Sequence, residues 1–157
     1  VKLTPLMPDD LPIMERWLQD KTLYDLLVNE KPNLALPYFI FLIKLKDDTP
    51  VGHISLFHID LENKTADAGI SIPEKEGRGK SHIAGRLLAN YVFGELGLNR
   101  VRCRILGRNR IAQRLAELFG FVKEGIEREA VFQNGKFEDI YVYGLLKSDF
   151  ERRNSDE

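Results

Sequence analysis

"PEKEGRGKSHIAGRLL", residues 73–88, sets two glycines around an arginine, follows them with Lys80-Ser81, and then runs into an apolar periodicity. A short glycine-rich turn that feeds a helix suits a phosphate. Glycine lets the backbone come close to a ligand, and the first turn of a helix offers free N–H groups with a dipole that favours an anion. Arg78 and Lys80 add positive charge. A nucleoside triphosphate loop, however, needs glycine, four residues, then Gly-Lys-Ser/Thr. Five places before Gly79 stands Glu74, and Glu74 with Glu76 brings carboxylates to where a triphosphate would sit. The strand before the loop reads as half of an antiparallel hairpin rather than as part of a parallel sheet, and no carboxylate follows a later buried strand to hold magnesium. These points argue against an ATP-binding module, which would bind magnesium-ATP. Two readings remain: a loop for another phosphate-bearing ligand, or a glycine-eased strand-to-helix turn without one.

The rest of the chain narrows the class. It has 157 residues, enough for one domain with a real core, and 43% hydrophobic with 30% charged residues is a globular composition. A net charge of −1 argues against a nucleic-acid binder. A single cysteine, Cys103, rules out an internal disulfide framework and a thiolate zinc site. The longest apolar run, around Tyr38 to Ile43, is too short to span a bilayer. The expected setting is cytoplasmic, with no membrane and no metal. Residues 1–150 read as a single domain and 151–157 as a polar tail that frays.

Outward from the loop, the elements fall into place. Upstream, "VGHISLFHIDLENKTADAGISI" holds two strands joined near Glu62-Asn63-Lys64. "PYFIFLIKLKDD" is a further strand, ended by a turn at Asp47 to Pro50. The N-terminal third holds a short strand from Val1 to Leu6 and a helix capped by Asp9 or Asp10, with Leu11, Met14, Trp17 and Leu18 on one face. "TLYDLLV" reads as a second short helix. Downstream, Ser81 to Leu96 is a helix that presents Ile83, Leu87, Leu88, Tyr91, Val92 and Leu96, closed by Gly97. "NRVRCRIL" alternates: Val101, Cys103 and Ile105 point one way, Arg100, Arg102 and Arg104 the other. A helix follows with Ile111, Leu115, Leu118 and Phe119 inward and Gly120 at its end. A second hairpin then turns at Asn134-Gly135, a type I′ signal. The order predicts an α+β, three-layer fold with a mixed, mostly antiparallel sheet and helices on both faces.

From about Thr49 onward, these residues resemble the acyl-CoA-binding half of the GNAT superfamily of N-acetyltransferases, and within it the RimJ/RimL-like group. The signature loop of that superfamily reads Gln/Arg-x-x-Gly-x-Gly/Ala. Gly77-Arg78-Gly79 supply its glycines, and Glu74 stands where Gln or Arg is usual. The second signature is an Asn, a helix, then Gly-Phe, matched by Asn109, Ile111–Phe119 and Gly120-Phe121. The resemblance implies acetyl-CoA as cosubstrate. Gly77, Arg78, Gly79, Lys80, Ser81 and His82 would hold its pyrophosphate, Ile70, Ser71 and Ile72 would run beside the pantetheine arm, and Asn109 would contact that arm. The implied partner is an amine acceptor, in a monomer or homodimer.

The implied reaction brings amine and thioester together, so that proximity does much of the work and a backbone N–H near Ile70 to Ile72 stabilises the oxyanion. The amine must be neutral to attack. At about pH 7 this costs roughly 1 kcal/mol for an α-amine and ~4.6 kcal/mol for a lysine. A weak base therefore suffices for an α-amine, which makes a protein N-terminus the first choice of acceptor, with small-molecule amines such as a polyamine, aminoglycoside or amino sugar close behind. The tyrosine and serine common in relatives are replaced here by Ala116 and Ala112. Without those acids, the alternative is a non-catalytic acyl-CoA-binding domain. For a base, a hairpin turning at Glu62-Asn63 sets His58 opposite Asp67, either as a catalytic pair or as an ordinary cross-strand pair. His53 and His58, five apart, are expected on opposite faces. Cys103 is expected as a core thiol, and most of Arg100, Arg102, Arg104, Arg108, Arg110 and Arg114 as a solvated face. One or two of them are candidates for the adenosine 3′-phosphate that the resemblance implies, and Arg108, Arg110 and Arg114 lie nearest Asn109 in sequence.

Overall fold

Alternating runs of Ile, Val, Phe and Leu build the sheet. In the computed structural model, which describes residues 1–20 and 38–155, they form β1 (Lys2–Pro5), β2 (Phe39–Lys44), β3 (Pro50–Asp60), β4 (Thr65–Ser71), β5 (Arg100–Leu106), β6 (Val122–Gln133) and β7 (Lys136–Leu146). Among the described residues these make one sheet in the order β1-β2-β3-β4-β5-β7-β6. Only β4 and β5 pair in parallel; the other neighbours are antiparallel. The helices are α1 (Leu11–Gln19), α2 (Ser81–Asn90), α3 (Arg110–Phe119) and α4 (Lys147–Ser155). A parallel pair needs a crossover, and α2 lies in it. The expected helix at residues 22–28 lies outside the described residues. No described helix is long and apolar enough to cross a membrane.

The two faces of the sheet bury different clusters. Ile54, Leu56, Ala66, Ala68 and Val101 pack under Ala84 and Leu88 of α2, with Phe93 and Phe150. On the other face, α1 lays Met14 and Trp17 over Leu42. Helices therefore cover both faces, as the pattern predicted. The detail of the stripes differs. Leu11 and Leu18 are each 49% exposed, because α1 rolls Ile13 inward beside Met14 and Trp17.

Helix α2 continues past Asn90 as a widened turn in which the Leu96 N–H donates to the Tyr91 carbonyl, five residues back. Gly97 closes it at φ +65°. The extra residue per turn carries Val92 and Phe93 into the core, while Ile83 stays 38% exposed. Helix α3 departs most from expectation. Ile111, Leu115 and Leu118 form an outer stripe, 76%, 45% and 58% exposed. Gln113 is the buried residue, since its Nε2 donates to the carbonyls of Leu106 (3.0 Å) and Gly107 (2.9 Å). The stretch from Glu151, read as a fraying tail, is helical as far as Ser155. Phe150 is buried, and Arg153 donates to the Leu118 carbonyl at 2.8 Å, tying α4 to the end of α3. Asn134 and Gly135 both have positive φ (52° and 77°), as a type I′ turn requires.

Candidate active site

The sheet opens at one point. β4 and β5 pair at Thr65↔Arg100, Ala66↔Val101 and Asp67↔Arg102, and at no later pair. β4 stays bonded to β3 as far as Ser71, and β5 to β7 as far as Leu106. The facing edges, from Ala68 on one side and Cys103 on the other, therefore diverge with inward-directed backbone groups that the sheet does not pair. Such groups are obligatory hydrogen-bonding partners for something extended. Gly69 and Ile70 are exposed on this edge, and Ser71 is buried. Ile72 packs against the main core.

The glycine loop sits at the end of β4, and its turns use several of its own amides. Gly77 donates to Glu74, Arg78 to Lys75 and Lys80 to Gly77, each at 3.1 Å. That leaves the amides of Gly79, Ser81 and His82 outside the loop's own bonding, at the start of α2 where helix N–H groups have no intrahelical partner. Gly79 supplies φ +76° with open space around it. Gly77 serves a different need, close packing: a Cβ there would lie 2.4 Å from Ile72 Cγ2 and 2.9 Å from Val51 Cβ. Glu74 does not face the loop's interior. Its Oε1 accepts from Trp17 Nε1 at 2.7 Å and pairs with Arg16. His82 is exposed on the first turn of α2. Asn109 caps α3, its Oδ1 accepting from the Ala112 N–H at 3.1 Å.

At the point of divergence lies a charged cluster. Asp67, 6% exposed, alternates with core-facing Ala66 and Ala68 and so points to the α1 face. Arg102, its parallel neighbour, donates to it twice, Nε at 2.8 Å and Nη2 at 2.5 Å. This bond raises the Arg102 guanidinium above its ordinary pKa. His58 Nδ1 lies 2.8 Å from Asp67 Oδ2. The expected contact is present, but the expected register is not, since Phe57 is the partner of Asp67. A bulge between Phe57 and Asp60, with His58 at φ +49°, inserts one residue and swings the imidazole onto the carboxylate. The same bulge corrects the two-face expectation for the histidines. His53 precedes it and faces α1, where its ring stacks on Trp17 at 6.2 Å and 20°. Beyond the bulge Ile59, not His58, enters the main core.

Several further residues find their roles only in the fold. His53 pairs across the strands with Ser71. His53 Nδ1 and Ser71 Oγ are both buried without a hydrogen-bond partner among the described residues, and burial holds the His53 pKa below the ordinary imidazole value. Arg100, Arg104 and Arg108 are not a free cationic face. Arg100 pairs with Glu124, Arg104 with Glu127 and Arg108 with Glu138, the first crossing β7 at Gly144, where a Cβ would meet Glu124 Oε1 at 2.3 Å. Cys103 packs against the core, and burial pushes its thiol up to about 12. Tyr141 and Tyr143 share a face: Tyr143 is buried with its hydroxyl 3.3 Å from Glu117 Oε1, and Lys123 Nζ sits 3.8 Å from the Tyr141 ring centroid. Arg102 as the partner of Asp67, and Trp17 as that of Glu74, left no local signal, because each pair is more than thirty residues apart.

A mixed sheet that parts between two parallel strands, with a glycine loop and a helix start at the end of one of them, is an acyl-CoA N-acyltransferase architecture. The chain belongs to the GNAT acetyltransferases: residues 1–122 match the family described as Acetyltransferase (GNAT) domain. It is 38% identical over 109 residues to the protein named "Putative ribosomal N-acetyltransferase YdaF" of Bacillus subtilis (strain 168), covering 68% of this chain and 59% of that protein. It is 32% identical over 104 residues to the ribosomal-protein-serine acetyltransferase of Escherichia coli (strain K12), covering 64% and 57%. The match thus spans less than two thirds of the length of either relative. Among solved structures, the spermidine N-acetyltransferase from Vibrio cholerae in complex with CoA and spermine superposes with a TM-score of 0.87 at 22% identity, over 96% of this chain and 97% of that one.

Proposed function

We propose that this protein is an acetyl-CoA-dependent N-acetyltransferase that acts on a primary amine, with a protein N-terminal α-amine as first choice. The observation that carries the reading is the divergence of β4 from β5 directly after Asp67↔Arg102. An extended arm fits between the unpaired edges, with Ile70, Ser71 and Ile72 along one side. The amides of Gly79, Ser81 and His82 at the start of α2 fit a pyrophosphate, with Arg78 and Lys80 adding charge. Acetyl-CoA supplies the acetyl group as a thioester, which makes the acyl carbon electrophilic.

The chain's own part is positioning and proton handling. A backbone N–H on the β4 edge near Ile70 hydrogen-bonds the carbonyl oxygen as it gains charge. His58 accepts the amine proton as the general base. Asp67 fixes the ring through Nδ1, and Arg102 fixes Asp67. Asp67 is thus an orienting group, its carboxylate oxygens already engaged by Arg102 and by the His58 ring. The N–C bond forms as the C–S bond breaks. The proton leaves by His58, and the thiolate departs into the open cleft.

The ribosomal-protein relative favours an α-amine; the polyamine bound to the structural neighbour makes spermidine the second arm of the same test. Thermal unfolding with acetyl-CoA and magnesium-ATP in parallel comes first, ligand at a hundred times its Kd adding about 2.7 kcal/mol. Stabilisation by acetyl-CoA alone is expected, followed by turnover of N-terminal peptides above spermidine. No response to acetyl-CoA would overturn the reading. Binding without turnover of any amine would leave the non-catalytic CoA-binding domain.

A further inference from the structure

Glu74 belongs to two parts of the molecule at once. Its backbone is the first residue of the loop turn: its N–H donates to the Val51 carbonyl at 3.3 Å, and its carbonyl accepts from Gly77 at 3.1 Å. Its side chain leaves the loop and reaches α1, where it accepts from the Trp17 indole at 2.7 Å and pairs with Arg16. The Arg16 side chain is 63% exposed, so that ion pair is weak; the bond to Trp17, which is 3% exposed, is the firmer one. Trp17 in turn stacks on His53, and His53 is the cross-strand partner of Ser71, three residues before Glu74. The contacts close a circuit from the end of β4 through Glu74, Trp17 and His53 back to β4. α1 lies on the face that carries Asp67 and His58, whereas the loop opens into α2 on the other.

We propose that Glu74 is a positioning residue that latches the phosphate loop to α1 through Trp17, so that filling the loop is transmitted to the face on which the amine is deprotonated. This rests on the coenzyme reading above. It also gives the acidic residue at the signature position a physical role, as a tether directed away from the phosphates. The two roles make opposite predictions. A carboxylate that repelled phosphate would, once neutralised, leave CoA bound more tightly, whatever replaced it. A tether depends on whether the replacement still accepts a hydrogen bond from the indole.

Trp17 is the single tryptophan of the chain, so its emission reports the latch directly. CoA is titrated into the parent protein, Glu74→Gln and Glu74→Ala, with binding followed by calorimetry and Trp17 by fluorescence. Acceptor KM is measured alongside. In the parent, CoA binding shifts Trp17 emission. Glu74→Gln keeps an acceptor for the indole and keeps the shift. Glu74→Ala binds CoA with unchanged affinity, loses the shift, and raises acceptor KM about fivefold to tenfold, the size of one lost hydrogen bond. CoA binding with a silent Trp17 in the parent overturns the coupling. So does equal tightening of CoA in both variants. If calorimetry detects no CoA binding to the parent, the coenzyme reading falls and the coupling falls with it.

Discussion

Replacing Arg102 with methionine tests the keystone of the cleft. The guanidinium donates two charge-assisted hydrogen bonds to Asp67, at 2.8 and 2.5 Å, and Asp67 is 6% exposed. Arg102→Met leaves a buried carboxylate with the His58 imidazole, 2.8 Å away, against it. Removing one partner of a fully buried ion pair costs ~3–5 kcal/mol. The Arg102 side chain is 37% exposed, so water reaches the gap and screens the charge. The working figure therefore drops to ~2–3 kcal/mol. At the slope expected for a chain of this length, the melting temperature falls by about 5–10 °C. Asp67→Asn removes the charge that Arg102 serves, so the double variant is less destabilised than the sum of the singles, by about 1–2 kcal/mol. The assay is a double-mutant cycle of urea unfolding, with turnover measured on all four proteins. Because Asp67 and Arg102 are the last pair before the strands part, turnover of Arg102→Met falls more than that of a variant equally destabilised elsewhere. A melting temperature within about 1 °C of the parent, or strict additivity, would refute the reasoning.

Other outcomes follow from single contacts. Gly77→Ala forces a Cβ to within 2.4 Å of Ile72 Cγ2 and 2.9 Å of Val51 Cβ; overpacking of this kind costs ~1–3 kcal/mol and displaces the loop, so CoA affinity measured by calorimetry drops along with stability. Asn109→Ala deletes the α3 cap and lowers unfolding free energy by about 1 kcal/mol in urea titration. His53 is held below the ordinary imidazole pKa by burial, so the unfolded chain takes up its proton first as pH falls. Its stability contribution is complete above about pH 6.5 and is lost as pH falls toward the folded value, with a slope of at most ~1.4 kcal/mol per pH unit. His53→Phe keeps a ring against Trp17 and flattens that part of the pH–stability curve; an unchanged slope counts against a buried neutral His53.

The loop and both hairpins were legible because their signals are local. Glycines set before an apolar helical run, Asn134-Gly135, and the strict alternation of Arg100 to Ile105 each reflect the steric rules of a few neighbouring residues. Sidedness was less legible. The outer stripe of α3 has the spacing of a buried face, yet Ile111 is 76% exposed. Hydrophobic spacing defines a face on a helix; the sheet beneath decides which side turns inward, and Gln113, bonded to two carbonyls, takes that place.

The sequence by itself determined the order of the seven strands and of helices α1 to α3, the mixed sheet, the glycine loop that opens α2, and the pairing of a histidine with an aspartate across one hairpin. Tertiary structure alone decided where the sheet parts and what holds the polar groups there. A bulge of one residue moves every later side chain to the other face, and no residue type announces it, so the registry of His58 had to be observed. The same holds for Arg102 on Asp67 and Trp17 on Glu74. Hydrogen bonds act over about 3 Å of space without regard to separation along the chain, and only the folded sheet brings those distant segments within that reach.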